Sequence, residues 1–359
     1  MQFGVFSVAD VTRDPVTGIT PSPTQRIEEL ILIARIAEEV GLDVFAVSEH
    51  HDPHFICSSP TIFLAAVAAQ TSRIILSTAV TLITANDPVR IAEEYALLQH
   101  ICHGRSDLMV SPGNTLPVHS WKSYEARTSM DMVIENYYLL TRLWREEGIE
   151  WDGSFHTPLI DFTSTPRPYN KAPFVWHNAT RFPGIADQAA FYGDGFFVNN
   201  LGTPPYEEAQ LVAHYRNSFE RYGHGRADQA IVGLGGQVFI AQNSQDAYTS
   251  FRPYFEGSVL YGMTLDEAVA RTSLAVGSVQ QVVEKLLTTR ELYGDYQRQL
   301  FWIDPGGLPL WTVLEQLELL GSAVVPILKS EFDRYRPRVL PPILLLMGGN
   351  PGSYHNFGV

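Results

Sequence analysis

Cysteine is scarce in this chain, and its scarcity excludes two kinds of architecture. Only Cys57 and Cys102 occur among 359 residues, so neither a disulfide framework nor a thiolate metal cage is expected. Long apolar runs are also lacking, since no stretch of about 18 continuous apolar residues is present for a membrane span. The first residues, MQFGVFSVAD, lack the basic start and the apolar run of a signal peptide. We therefore expect a cytoplasmic protein that does not associate with membranes.

Positive charge is in short supply as well. Lys and Arg total 25 against 39 Asp and Glu, which gives a formal net charge of −14. Such a balance disfavours nucleic-acid partners and anionic membrane surfaces. Any phosphate-bearing ligand must therefore be held by a local site. Apolar residues make up 45% of the chain, which is enough for one large core or for two or three smaller ones.

Short apolar runs alternate with helical patterns along most of the chain. The runs predicted as strands are 3–8, 44–48, 73–83, 107–110, 174–177, 195–198, 233–241 and 298–303. The patterns predicted as helices are 25–41, 59–71, 88–102, 129–147, 185–193, 206–223, a segment from about 245, 279–294 and 310–332. Short apolar strands without alternation are typical of buried parallel sheets. Eight strands, each followed by a helix, predict an α/β fold, a single (β/α)8 TIM barrel.

A doubly wound sheet is the alternative fold. It is disfavoured because no G-x-G-x-x-G pattern follows the first strand. The glycine-rich GLGGQV at 233–238 begins a strand instead of linking a strand to a helix. We interpret it as a packed or bulged strand.

Three segments interrupt the rhythm. Residues 148–172 form an insertion before strand five, and residues 256–277 form a second one before strand eight, which could act as a lid over the barrel mouth. Residues 337–359 have no periodicity. We therefore predict a barrel domain over 1–335 and an irregular C-terminal tail over 336–359.

The stretch AVSEHHDPH at 46–54 carries three imidazoles directly behind a glutamate. It lies at the end of the second predicted strand, where a barrel presents its active-site groups. A metal site is one interpretation, although Pro53 interrupts the helix that a histidine pair at i and i+4 requires. Packing at a strand end is a second. A catalytic or cofactor-facing histidine is the third, because a neutral imidazole can donate, accept or carry a proton.

Ordered segments of the chain resemble the luciferase-like flavin-dependent monooxygenases, the bacterial luciferase superfamily. They are GLDVFAVSEHH (41–51), RIILSTAVTLITANDPVRIAEEYALLQHICHGR (73–105), AVGSVQQVVEKL (275–286) and GGLPLWTVLEQLELLGSAVVPIL (306–328). The resemblance covers about residues 1–332. It implies a TIM barrel that binds reduced FMN at its mouth and uses O2 to oxygenate a small organic substrate.

The same resemblance implies partners and leaves rival functions open. A separate flavin reductase would deliver reduced FMN, and the chain would form a homodimer. A sister branch of the family uses coenzyme F420 on the same barrel, so an F420-dependent oxidoreductase is one alternative. A flavin-binding or partner subunit without turnover is another.

Four aromatic residues could line a pocket at the barrel mouth for a flat or lipophilic substrate: Trp121, Tyr124, Trp176 and Phe197. The alternative is that they belong to the core.

The resemblance also assigns roles to individual residues. The first histidine of Glu49-His50-His51 would face the flavin and donate to a developing peroxide oxygen, which makes His50 and Glu49 the catalytic candidates. Ala79 and Val80 match the strand end against the flavin ring, where the family often has a non-prolyl cis peptide; ordinary strand packing is the alternative. The phosphate is expected near the start of the helix in ATRFPG (179–184), at a helix N-terminus. The full set of cofactor-binding candidates is Phe6, Ala79, Val80, Ser111, Asn114, Arg127, His177, Thr180, Arg181, Phe182, Gly277 and Ser278.

One departure from the family pattern stands after strand four. The family commonly has an arginine there that reaches the flavin phosphate, whereas this chain has Ser111 and Pro112. A bidentate phosphate contact is thereby lost. Arg127 or Arg181 could replace it. For Arg181 a solvated loop position is the alternative, and for Gly277 and Ser278 the alternative is simple capping of a helix.

Overall fold

The computed structural model describes residues 1–113, 126–179, 182–199, 201–257 and 262–334, with the backbone alone for 126–129. Its strands are β1 (Gln2–Ser7), β2 (Val44–Val47), β3 (Ile75–Thr78), β4 (Thr81–Leu82), β5 (Leu108–Ser111), β6 (Ile149–Trp151), β7 (Leu159–Phe162), β8 (Val175–Asn178), β9 (Gly195–Val198), β10 (Val232–Ala241), β11 (Leu274–Ser278) and β12 (Arg298–Trp302). Its α-helices are α1 (Pro23–Glu39), α2 (Pro60–Ala68), α3 (Pro88–Ile101), α4 (Ala126–Arg145), α5 (Pro183–Tyr192), α6 (Pro205–Arg221), α7 (Ser244–Phe255), α8 (Leu265–Arg271), α9 (Val279–Tyr293), α10 (Leu310–Leu319) and α11 (Val325–Asp333).

The large sheet closes into a barrel of parallel strands. Its order is β3-β2-β1-β12-β10-β9-β8-β5-β4. Closure comes from β3 and β4, which together fill one strand position beside β5: Leu76 bridges to Ser106, and Thr81 pairs with Val110. The predicted TIM barrel is therefore confirmed. We call the carboxyl ends of these strands the mouth.

Local sequence signals explain where the helices begin. The Asp87 carboxylate accepts a hydrogen bond from the Val89 amide at 2.8 Å, and Pro88 occupies the first turn of α3. Ser22 and Gln25 form a capping box at the start of α1. The predicted helices agree with the observed ones to within a few residues.

Both predicted insertions contain regular structure. The first, before β8, holds the antiparallel pair β6 and β7. The second contains α8 and β11, and β11 pairs with the upper half of β10 through Gln237–Ala241. Residues 258–261 of this insertion lie outside the described residues, as does the predicted tail 336–359.

The lower half of the barrel interior is filled by a buried polar layer and aromatic rings. Arg298 and Asp107 form an ion pair at 2.6 Å, both fully buried, and Arg298 also donates to Gln2 at 2.7 Å. The guanidinium lies 4.6 Å from the ring centroid of Trp176. On β10, a Cβ at Gly233 would collide with the Phe197 ring, so this glycine leaves room for an interior aromatic residue. The interpretation of GLGGQV as a packed strand is therefore confirmed.

The chain's last described helix is apolar. The span Leu310–Asp333, which includes a π-helical turn at Leu320–Val324, is long and apolar enough to cross a membrane by length and composition alone. Its Val313, Leu317 and Leu328 are fully buried in the core, and α10 packs against α1 and β10. We interpret it as the closing helix of the barrel.

Candidate active site at the barrel mouth

Glu49 ties the end of β2 to its neighbours. Its carboxylate, 1% exposed, accepts from the Leu82 amide at 3.0 Å, from Asn86 Nδ2 at 2.9 and 3.1 Å, and from His51 Nε2 at 2.9 Å. Its own backbone N–H donates to the Val80 carbonyl at 3.1 Å. Every carboxylate oxygen is therefore occupied by groups of the chain, and Glu49 holds the strand end that carries His50.

The His50 ring is held in place by a neighbouring ring. It stacks on Phe55 with centroids 4.1 Å apart and planes 20° apart, while its backbone N–H donates to the Cys57 carbonyl at 3.0 Å. Its Nδ1 is buried and has no hydrogen-bond partner among the described residues. Burial lowers the pKa of His50, with Asp52 opposing that shift. The imidazole is therefore neutral at neutral pH, and none of the described residues occupies its Nδ1.

The loop that carries Phe55 is braced by the loop after β1. The Ile56 amide donates to the Ala9 carbonyl at 3.0 Å, and the Val11 amide donates to the His54 carbonyl at 2.7 Å. Asp10 and Phe55 form an isolated antiparallel bridge. Two adjacent mouth loops therefore fix one another, and with them the position of the His50 ring.

An apolar cluster extends from the lower half of the barrel interior toward the mouth. The interior cluster consists of Phe6, Val44, Ala46, Ile75, Met109, Trp176, Phe197, Leu300 and Trp302. Ala79 and Val80 pack against it, and the peptide between them is cis, as the family resemblance implied. Beyond the end of β2, Ser48 Oγ donates to the Ala79 carbonyl and the Glu49 amide donates to the Val80 carbonyl, so the segment that carries His50 lies against this cis peptide. The structure thus brings Phe6, Ala79, Val80 and His50 to one end of the barrel.

A buried charged cluster anchors the first mouth loop. Arg26 of α1 pairs with Asp304, which follows β12, and donates through Nε to the Asp10 carbonyl at 3.0 Å. Ser7 also donates to Asp304, at 2.6 Å. Burial and the Asp304 charge raise the pKa of Asp10. Two carboxylates and one guanidinium therefore form a single buried cluster at this loop.

His177 is a prediction that the structure corrects. It was expected to bind the cofactor, but Trp176 takes the interior position on β8, and His177 points into the layer between strand and helix. There its Nε2 lies 3.0 Å from Asp194 Oδ2, and its ring meets Tyr137 edge-on at 4.5 Å. The ring is 1% exposed. Its burial against these two partners explains it as a packing residue.

The remaining cofactor-binding candidates are dispersed. Ser111 ends β5 and is partly exposed; Phe182 precedes α5 and is 64% exposed. Ser278 caps α9 in a reciprocal box with Gln281, directly after Gly277, so capping accounts for this pair. Asn114, Thr180 and Arg181, the Arg127 side chain, and the pocket candidates Trp121 and Tyr124 lie outside the described residues.

Sequence reasoning overlooked three side chains at the mouth, namely Gln237, Trp302 and Asp304. Trp302 and Asp304 lie at the end of the last barrel strand, a position that by itself points to the mouth. Gln237 is the one polar side chain in the strand β10. A lone polar residue in an apolar strand is the sequence signal that could have identified it as a site residue. As for the metal interpretation, the described residues hold no group of three or more His, Cys, Asp or Glu side chains placed to bind a metal ion.

Comparison with known proteins places this geometry in a family. The model of the family described as luciferase-like monooxygenase matches residues 1–296. The oxygenase component of flavin-dependent trigonelline monooxygenase from Acinetobacter baylyi is 24% identical over 93% of this chain and 98% of its own length. An F420-dependent glucose-6-phosphate dehydrogenase from Kineococcus radiotolerans is 32% identical over 54% of this chain and 60% of its own length.

Solved structures agree on the fold. The monooxygenase RslO1 from Streptomyces bottropensis has a TM-score of 0.81 at 23% identity, covering 91% of this chain and 100% of that one. The oxygenating constituent of 3,6-diketocamphane monooxygenase from Pseudomonas putida, solved with FMN, has a TM-score of 0.73 at 18% identity, covering 91% and 98%. The chain belongs to the luciferase-like monooxygenase family, whose members are monooxygenases and other oxidoreductases that use a flavin or F420.

Proposed function

We propose that this protein is a flavin-dependent monooxygenase that takes reduced FMN and O2 and oxygenates a small, largely apolar organic substrate. The observation that carries the proposal is the buried Nδ1 of a neutral His50 at the barrel mouth, which has no hydrogen-bond partner in the part of the chain that the structure describes. The match to the trigonelline oxygenase component over nearly its whole length supports the flavin branch of the family.

The residues at the mouth suit a flat tricyclic ring. Phe6, Ala79 and Val80 offer an apolar surface, and the free nitrogen of His50 offers one polar contact beside it. These residues would hold the ring, while Ser111, Thr180, Arg181 and Arg127 are the candidates for its phosphate. Bound reduced FMN would supply the electrons that activate O2.

The chain's own contribution to catalysis centres on His50. A neutral imidazole carries one N–H and one lone pair, so it can donate to an oxygen that gains negative charge and can carry one proton. Phe55 fixes the plane of the ring, and Glu49 fixes the strand end beneath it. Because burial of the ring lowers its pKa, the imidazole stays neutral until the solution is more acidic than an ordinary histidine requires.

An F420-dependent oxidoreductase is the second candidate. It is favoured by the higher identity, over about half the chain, to F420-dependent glucose-6-phosphate dehydrogenases. The two candidates differ in the ring they bind and in their use of O2. Cofactor affinity therefore separates them before any substrate is known.

Two partners belong to the proposal. A separate reductase would supply reduced FMN, as the description of the trigonelline relative as an oxygenase component suggests. We also propose a homodimer. Three isoleucine or leucine side chains on the packed helices α2, α3 and α4 are exposed: Ile62 by 73%, Leu97 by 52% and Ile134 by 53%. Light scattering on the protein as it elutes from a size-exclusion column would give its mass, and we expect the mass of two chains.

An anaerobic titration tests the proposed function. The purified chain is titrated with reduced FMN and, separately, with reduced F420, and binding is followed by calorimetry. We expect reduced FMN to bind and F420 to bind at least tenfold more weakly. Preference for F420 would overturn the flavin assignment and favour the second candidate.

A variant then tests the role of His50. After air is admitted, the appearance of oxidised FMN is followed by absorbance in the wild type, in His50→Ala and in His54→Ala. His54 is an exposed histidine on the same loop and serves as the matched control. We expect the rate to change in His50→Ala alone. Equal rates in all three proteins would remove His50 from the mechanism.

A further inference from the structure

Among the described residues, two buried side chains of the upper barrel have polar atoms without a hydrogen-bond partner. The Gln237 side chain is buried, 1% exposed as a residue, and neither its Oε1 nor its Nε2 has a hydrogen-bond partner among the described residues. Trp302 is 7% exposed, and its Nε1 is likewise unpartnered. Leaving such a group unsatisfied costs about 1–3 kcal/mol. A pair of them therefore marks a place where a ligand's polar group fits.

The two residues are neighbours on adjacent strands. Gln237 of β10 is in register with Trp302 of β12. Trp302 belongs to the interior cluster. Gly233 faces the same interior, because a Cβ there would meet the Phe197 ring. Side chains alternate between the two faces of a strand, so Gln237, four residues further along β10, faces the interior as well. Both side chains therefore face the barrel interior, as does Phe6, which is in register with Trp302 on its other side.

The donor and acceptor pattern limits what fits. An indole N–H can only donate, and the Gln237 amide offers two further N–H donors beside its own oxygen. The shared complement is an acceptor oxygen. The neighbouring residues of the interior cluster, Phe6 and Leu300, are apolar, so the rest of the ligand must be apolar or aromatic.

Charge distinguishes a carbonyl from a carboxylate. Asp304 lies two residues beyond Trp302 and is 1% exposed. Its cationic partner is Arg26, which is therefore already engaged in an ion pair. The interior cation on the same strand, Arg298, is already paired with Asp107. A buried carboxylate needs a cationic partner, and both of these described cations are already paired, whereas a neutral carbonyl needs none.

We propose that Gln237 and Trp302 form a substrate subsite that binds the neutral carbonyl oxygen of an apolar or aromatic ketone, aldehyde, ester or quinone. The subsite rests on the proposed function, since it places the substrate beside the surface that would hold the flavin, where Trp302 is in register with Phe6. It assigns a substrate class to a mouth whose substrate the family leaves open.

The test compares two probes of one shape. Indan-1-one carries a ring carbonyl, and indane lacks it. Their dissociation constants for the full-length protein are measured by quenching of tryptophan fluorescence, with calorimetry for Trp302→Phe. We expect the wild type to prefer the ketone by about tenfold, which is about 1.4 kcal/mol, and Gln237→Leu and Trp302→Phe to reduce that preference to about twofold.

Gln299→Leu is the matched control. Gln299 is a buried glutamine on β12 whose amide donates to the Leu234 carbonyl at 3.2 Å and whose Oε1 is unpartnered, but alternation turns it to the helix side. We expect its ketone preference to be unchanged. Gln237→Leu should fold normally, because it replaces two unsatisfied polar atoms with methyl groups.

Three outcomes would overturn the subsite. The first is an equal affinity of the wild type for the two probes, and the second is a ketone preference that survives in both variants. The third is a parallel loss of FMN affinity in Gln237→Leu and Trp302→Phe, which would make the pair a cofactor contact. If the wild type binds no FMN yet keeps the ketone preference, the proposed function fails while the subsite stands.

Discussion

Replacing Glu49 with glutamine tests whether this residue positions the site. Its Oε1 accepts from His51 and Asn86, and its Oε2 accepts from the Leu82 amide and the same Asn86 nitrogen. A glutamine amide is nearly the same size, but one of its two ends is an NH2. Whichever way it is turned, that NH2 faces donors and loses two acceptor contacts.

The cost follows from those contacts. Hydrogen bonds to a charged group contribute about 1.5–3 kcal/mol each. Relief from burying a charge, with the Glu49 side chain 1% exposed, offsets part of the loss of two. We expect Glu49→Gln to lower the free energy of unfolding by about 2–3 kcal/mol. Adding Asn86→Asp supplies an acceptor for the new NH2, so the double variant should recover about 1 kcal/mol.

Urea unfolding followed by far-UV circular dichroism measures all four proteins of this cycle. The coupling energy between positions 49 and 86 is the readout. A change below about 0.5 kcal/mol in Glu49→Gln, or a double variant no more stable than the single one, would refute the account of Glu49 as the group that holds the strand end.

Three further predictions concern stability. Burial raises the pKa of Glu208 to about 8 from 4.5, so the free energy of unfolding should fall by up to about 5 kcal/mol as the pH rises between these two values. Urea midpoints measured across this pH range should show the decrease, and Glu208→Gln should remove it. Gly233→Ala puts a Cβ against an interior aromatic ring and should cost about 1–3 kcal/mol in urea unfolding, whereas Gly257→Ala, with open space around it, should cost nothing measurable. Arg298→Met leaves the buried Asp107 carboxylate without its cation and should lower the free energy of unfolding by about 3–5 kcal/mol. Adding Asp107→Leu removes that unpaired charge and should restore most of the urea midpoint.

The order of strands and helices could be predicted because it depends on short, local sequence patterns. Buried parallel strands read as short apolar runs, and capping residues such as Asp87 mark where helices begin. The strand β11 was missed because Leu274–Ser278 runs directly into α9 and exists through its pairing with the upper half of β10. That partner lies 37 residues earlier in the sequence, at Gln237–Ala241, and no local pattern indicates it.

The site was harder to predict than the fold. His50 and Glu49 could be found because they sit at a strand end with a recognisable pattern. His177 was misjudged because an apolar strand without alternation does not show which residues face inward, and one step along the strand turns a side chain to the opposite side. The Glu49–Asn86 contact and the Gln237–Trp302 pair join distant segments, so only the folded barrel brings them together.

A crystal structure of the protein grown with FMN tests the central claim most directly. The account predicts the isoalloxazine ring at the barrel mouth, in contact with the Ala79–Val80 strand end and within hydrogen-bonding reach of the His50 imidazole. A flavin bound elsewhere on the protein, or bound at the mouth with the His50 ring turned away from it, would contradict the account.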